Sequence, residues 1–231
     1  MTEYDYRFLD RRPSPDIVLN CDFNGGSAQD RSWNAKHGTL TNGAVVTAGN
    51  RFATVDGIDD YIDFGDADTF SFTNGSGTDL PFSVSFWLYQ TSDPGMTAVE
   101  TLCKFSSSAN VEWIFSARYG SSGPRFACYK NGSYANSIAR LGAGVSIGIN
   151  AWTHWCGTYS GSKTSAGLKI YKNGVQVDNT SNGDGVYTGM SNTAGPLRFG
   201  RNSTGYIDEG RIYNRELSAA EVAAIYTQGR T

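Results

Sequence analysis

Short runs that alternate polar and apolar residues, each closed by Gly, Asn, Asp or Ser, recur along almost the whole chain. That pattern restricts it to β structure. The runs include "DIVLNCDF", "GAVVTA", "RFATVD", "DYIDFG", "FSVSFWLYQ", "ETLCKFS", "PRFACYKN", "GVSIGI", "WTHWCGTYS", "LRFGRN" and "YIDEGRIYN". In "FSVSFWLYQ", Phe82, Val84, Phe86 and Leu88 share one face, and Ser83, Ser85, Trp87 and Tyr89 the other. Both faces are partly apolar, as an inner strand of stacked sheets requires. In "LKIYKNGVQV", Asn173-Gly174 between two strand runs predicts a type I′ hairpin. Charged residues make up only 18% of the 231 and Gly numbers 28, which favours turns over salt-bridged helices.

The C-terminal stretch breaks the pattern. Ser218 followed by Glu221 is a capping box, and "LSAAEVAAIYTQG" then predicts one short helix stopped by Gly229. Leu217, Val222 and Ile225 give it an apolar stripe to dock on the sandwich edge. At the other end, Pro13 and Pro15 make residues 1–16 an extended arm, so the expected division is arm 1–16 and β domain 17–231. The arm interleaves Tyr4, Tyr6 and Phe8 with Arg7, Arg11 and Arg12, the composition of an assembly interface. The N-terminus carries no apolar signal-peptide core, so synthesis in a cytoplasm is expected. Net charge is -3, which gives no footprint for nucleic acid, and no apolar run is long enough to cross a bilayer. Cys21, Cys103, Cys128 and Cys156 form no CxxC pair and are expected as small buried hydrophobes.

Four segments, taken in order, resemble the laminin G-like, concanavalin A-like jelly-roll superfamily. They are "DGIDDYIDFGD" (56–66), "PFSVSFWLY" (81–89), "INAWTHWCGTYSG…LKIYKNGVQV" (149–177) and "GYIDEGRIYNRELSAAEV" (205–222). Cys156 and Gly157 depart from the family's usual aliphatic pair, and Gly210 stands where Val is common. The resemblance implies an all-β, two-sheet antiparallel jelly-roll β-sandwich with one short C-terminal helix, in which the first and last strands are neighbours. It leaves function open, since such folds serve sugar binders, protein binders, hydrolases and structural modules.

Glycoside cleavage needs two carboxylates roughly 5–9.5 Å apart. Asp59 with Asp63, or Asp60 with Asp66, are the nearest pairs, but the spacing differs from that of the family's hydrolases. "GVSIG" (144–148) matches the nucleophile-elbow string but precedes another strand rather than a helix. His154 is expected to be structural. No catalytic residue is therefore assigned, and a glycoside hydrolase-like enzyme is the minor alternative. The resemblance implies a structural calcium near the junction of first and last strands, where Asp22 or Asp30, together with Asp208, would supply the carboxylates. Carbohydrate is expected on Trp113, Arg118, Tyr119, Arg125, Tyr129, Asn131 and Tyr134, which combine stacking rings with hydrogen-bonding groups. The expected function is a non-enzymatic structural or adhesion module of a phage virion, such as a capsid decoration or tail protein, that can bind carbohydrate. Its partners would be a glycan, another virion or cell-surface protein, or further copies of itself. The alternative is a lectin-like module of a secreted protein, placed outside the cell or on its surface.

Overall fold

The computed structural model describes residues 14–47, 49, 51–130, 133–183 and 186–230. Their strands are β1 (Ile17–Asp22), β2 (Gln29–Asp30), β3 (Thr39–Thr41), β4 (Ala53–Asp56), β5 (Tyr61–Asp63), β6 (Phe82–Gln90), β7 (Leu102–Ser107), β8 (Asn110–Ser116), β9 (Arg125–Lys130), β10 (Ser133–Leu141), β11 (Trp152–Tyr159), β12 (Leu168–Lys172), β13 (Val175–Gln176), β14 (Thr180–Gly183), β15 (Leu197–Phe199) and β16 (Thr204–Tyr213). One helix, α1 (Ala219–Gln228), closes the chain. All the strand pairs within the two sheets are antiparallel.

The first sheet runs β13-β12-β11-β6-β16-β1-β2, with β4 also on β16, and the second runs β14-β10-β9-β8-β7-β15-β5-β3. The expected jelly-roll sandwich is present, and β1 pairs with β16 as the resemblance implied. β6 sends Phe82, Val84, Phe86 and Leu88 into the space between the sheets, where they join Trp113, Phe115, Phe126, Trp155 and Phe199 in the main core. Phe82 stacks on Phe72 at 4.2 Å and meets Phe126 and Tyr159 edge-on. Such pairs add to the burial of large apolar surfaces.

The family departures have a packing reason. A Cβ on Gly157 would stand 2.7 Å from Phe115 and 2.9 Å from Phe126, and one on Gly210 2.9 Å from Phe199. The rings fill the volume that aliphatic side chains would take.

Asn173 and Gly174 both have positive φ (50° and 78°) between Lys172 and Val175, the two-residue turn expected. The capping box is also complete, with Ser218 Oγ accepting from Glu221 N and the Glu221 carboxylate accepting from Ser218 N. Helix docking differs from the expectation. Leu217, Val222 and Ile225 pack with Cys156, Tyr171 and Tyr213 on the outer face of the first sheet rather than on the edge of the sandwich. Alternation explains it: Cys156 and Tyr213 occupy outward positions beside the inward Trp155 and Ile212. Two expected strands are loops, since Val45 makes only an isolated bridge to Thr54 and residues 144–149 form no strand. All four cysteines are free and buried.

Candidate ligand-binding face

Strand alternation gives the second sheet an outer face with its own small apolar cluster of Cys103, Phe105, Val111, Ile114, Ala127, Tyr129 and Ala139. Register carries one row across all eight strands: Thr39, Asp63, Arg198, Cys103, Ile114, Ala127, Ala139 and Asn182. Apolar side chains, Cys103, Ile114, Ala127 and Ala139, occupy its middle, and its polar residues lie at its ends.

At the β3 and β5 end of the row opens a cleft of about 480 Å³ lined by His37, Thr39, Thr41, Asp63, Phe64 and Gly65. Asp63 Oδ1 accepts from Gly65 N at 2.7 Å, while Oδ2 lies 3.6 Å from Arg198 Nε, a charge pair without a formed hydrogen bond. Arg198 in turn lies over the Tyr61 ring, with Cζ 4.4 Å from its centroid. His37 Nδ1 accepts from Asp30 N at 3.2 Å, which leaves the ring proton on Nε2. The cleft therefore offers the Thr39 hydroxyl, the Thr41 hydroxyl as an acceptor since its proton goes to Thr39 O, an imidazole N–H donor and a carboxylate oxygen beside an aromatic–guanidinium stack. That mixture of donors and acceptors suits a polyhydroxylated ligand.

Further along the same face Arg125 lies 4.7 Å from the Tyr119 centroid and 5.4 Å from that of Tyr129, and donates to the Tyr129 hydroxyl. Burial pushes that phenol up to about 12. Arg201 lies 4.6 Å from the Phe105 ring centroid and pairs with Glu100.

The predicted sugar residues divide accordingly. Tyr119, Arg125 and Tyr129 do cluster, but Arg125 and Tyr129 are buried and only Tyr119 is open to solvent. Trp113 is wholly inside the core, its Nε1 donating to Phe70 O, so it cannot stack on a ligand. Strand alternation sets its inward direction, on the face of Phe115 and Cys128 and opposite Ile114. Arg118 is tied to Gly95 O and Asp93 at the rim. Asn131 lies outside the described residues, as does the side chain of Tyr134 and the whole of the predicted assembly set Tyr4, Tyr6, Arg7, Phe8, Arg11 and Arg12.

The carboxylates predicted to hold calcium are not gathered. Asp30 accepts from Asn20 N, Ser32 N, Ser32 Oγ and Lys36 N. Asp22 pairs with Arg31 and caps Asn24 N, and Asp208 pairs with Arg230 and accepts from Glu209 N. Each is thus occupied by protein donors. Among the described residues, Asp56, Asp59 and Asp60 are the three acidic groups whose oxygens lie within 4.8 Å of one another. Asp60 already accepts from Gly43 N and Asp56 N there.

Sequence reasoning missed the cleft. Its signals, the alternations Thr39-x-Thr41 and Tyr61-x-Asp63, mark polar faces, but nothing local says that the two strands pair.

The chain matches the family model of the concanavalin A-like lectin/glucanases superfamily over residues 56–223. In fold it is similar to the binding domain of Paraclostridial mosquitocidal protein 1 (TM-score 0.69, 16% identity, 92% of this chain and 52% of that one). It is also similar to the receptor binding domain of botulinum neurotoxin mosaic serotype C/D (0.66, 14%, 93% and 51%). A third similar structure is domain 4 of an extracellular arabinanase from Geobacillus stearothermophilus, in complex with arabinotriose (0.65, 17%, 91% and 98%). The chain spans about half the length of the two toxin domains and nearly all of the arabinanase domain. A search of curated proteins by sequence gave no match.

Proposed function

The chain belongs to the concanavalin A-like lectin/glucanases superfamily, and on that premise we propose that it is a non-enzymatic module that binds a neutral carbohydrate in the cleft beside Asp63. The observation that carries this reading is the pairing of the cleft's mixed hydrogen-bonding groups with the Tyr61–Arg198 stack on its border. The arabinanase domain, solved with arabinotriose, supports a sugar as the ligand class. The carboxylates of Asp60, Asp63 and Asp66 are engaged by Gly43 N and Asp56 N, by Gly65 N and Arg198, and by Lys104 respectively. The test is affinity electrophoresis through gels containing soluble arabinan, xylan or mixed-linkage β-glucan. Wild type should be retarded by at least one polymer, and Thr39→Val/Thr41→Val, which keeps shape and strand propensity, should weaken that retardation by about fivefold or more. Retardation unchanged in the double variant would remove the cleft from the mechanism.

Display on a virus particle or outside a cell is the finer reading, with further copies of the chain or a surface protein as second partner. It draws its support from the aromatic and cationic composition of residues 1–16, of which only 14–16 are described. Light scattering of the chain with and without residues 1–16, in calcium and in chelator, tests it. A defined oligomer broken by truncation favours assembly, and monomers throughout favour a free lectin-like module.

A further inference from the structure

The outer face of the first sheet, opposite the cleft, carries α1 over only part of its width. Beyond the helix a second register row crosses four strands: Trp152 on β11, Tyr89 on β6, Tyr206 on β16 and Thr54 on β4. Phe52, just before β4, adds a fourth ring, 4.6 Å from Tyr206 and 5.8 Å from Trp152. Tyr89 lies 5.7 Å from Trp152 and 5.4 Å from Tyr206. These rings form one contiguous platform, their faces tilted 41–66° across these four contacts, and all four remain partly exposed although Trp87 on β6 is buried.

The platform has a built polar border. Arg230 lies with Cζ 4.2 Å from the Trp152 ring and 5.8 Å from Phe52, held there by a 2.9 Å bond from Nη1 to the fully buried Asp208 carboxylate. Its charge is thereby balanced, while its remaining N–H groups bond to no described residue. The hydroxyls of Tyr89 and Tyr206 and the indole Nε1 of Trp152 likewise bond to no described residue, whereas the buried Trp113 Nε1 is bonded.

Aromatic faces rimmed by unspent donors on a charge-balanced surface match a ligand with apolar C–H faces and peripheral hydroxyls. We propose that Phe52, Tyr89, Trp152, Tyr206 and Arg230 form a second carbohydrate-binding site, one that stacks on the ring face of a neutral sugar. The site rests on the reading of the chain as a carbohydrate binder, and it makes the module bivalent, with one site on each outer face of the sandwich. Two weak sites on one polymer then act at high effective concentration.

The same gels test it, with Trp152→Ala and Tyr206→Ala on the platform compared with Thr39→Val/Thr41→Val in the cleft. The expected result is retardation weakened about fivefold or more by either set and abolished by the two together. Retardation lost in the cleft variant and untouched by both platform variants would overturn the second site and leave the first reading standing. Retardation lost only in the platform variants would uphold the second site and overturn the cleft. Wild type that passes every polymer unretarded would overturn both.

A measurement on the intact platform guards against misfolded variants. Of the five tryptophans, Trp87, Trp113 and Trp155 are buried, so Trp33 and Trp152 are the ones open to quencher. In a Trp33→Phe background, the retarding polymer should lower acrylamide quenching at least about twofold. Quenching unchanged at a polymer concentration that fully retards the protein would overturn the platform.

Discussion

Gly157 lies in β11 with two phenylalanine rings where its side chain would be. Gly157→Ala is expected to cost about 1–3 kcal/mol by overpacking, read from urea unfolding, because Phe115 and Phe126 are locked in the core and cannot retreat. Pairing it with Phe115→Leu should recover part of the loss. A second residue-scale dependence is ionic. Lys104 is fully buried, with Nζ 3.0 Å from Glu112, 2.7 Å from Asp66 and bonded to the Thr193 and Gly195 carbonyls. Burial raises the Glu112 carboxyl above its ordinary range, and Lys104 opposes that shift. Lys104→Met strands the carboxylate and should cost about 3–5 kcal/mol, while Lys104→Met with Glu112→Leu should recover most of it. Urea melts of the single and double variants check both statements.

Ser218 alone decides how α1 begins. Ser218→Ala removes the acceptor for Glu221 N and should cost about 1 kcal/mol in thermal or urea unfolding, since the cap is exposed and no other group replaces it. This element was legible from its residues because a capping box is complete within four positions. The Asn173-Gly174 hairpin and the inward face of β6 were legible for the same reason. Trp113 was not. Both faces of β8 are apolar, Trp113 and Phe115 on one and Val111 and Ile114 on the other, so the local pattern does not say which face turns inward. The cleft and the aromatic platform were equally hidden. Thr39 meets Asp63, and Trp152 meets Tyr89 and through it Tyr206, only when strands distant in sequence take their register.

For the molecule as a whole, two buried groups set opposing responses to acid. His154 is held down to about 4, first by burial and then by Arg211, so its contribution to stability is complete above its unfolded value near 6.5 and lost as pH falls through 4. Asp208 is held up at about 6, chiefly by burial, with Arg230 and Glu209 N pulling the other way. Its contribution is complete below its unfolded value near 3.9 and lost as pH rises through 6. Between pH 6 and 4 the two slopes, each about 1.4 kcal/mol per pH unit at most, oppose one another. Asp208→Asn should therefore lose stability more steeply than wild type across that window, by about 2 kcal/mol in total, as followed by urea unfolding at pH 6, 5 and 4.

The position of β16 has a consequence in time. It is the last of the described strands, yet it lies between β6 and β1 with β4 also paired to it, and Ile17 meets Tyr213 although they are far apart in sequence. During synthesis every other strand of that sheet emerges first and waits without its centre, two open edges facing the gap. Closing so long a loop is slow, and until it closes β6 has one edge unpaired. The nascent chain is thus most exposed to pairing with its neighbours just before β16 leaves the ribosome.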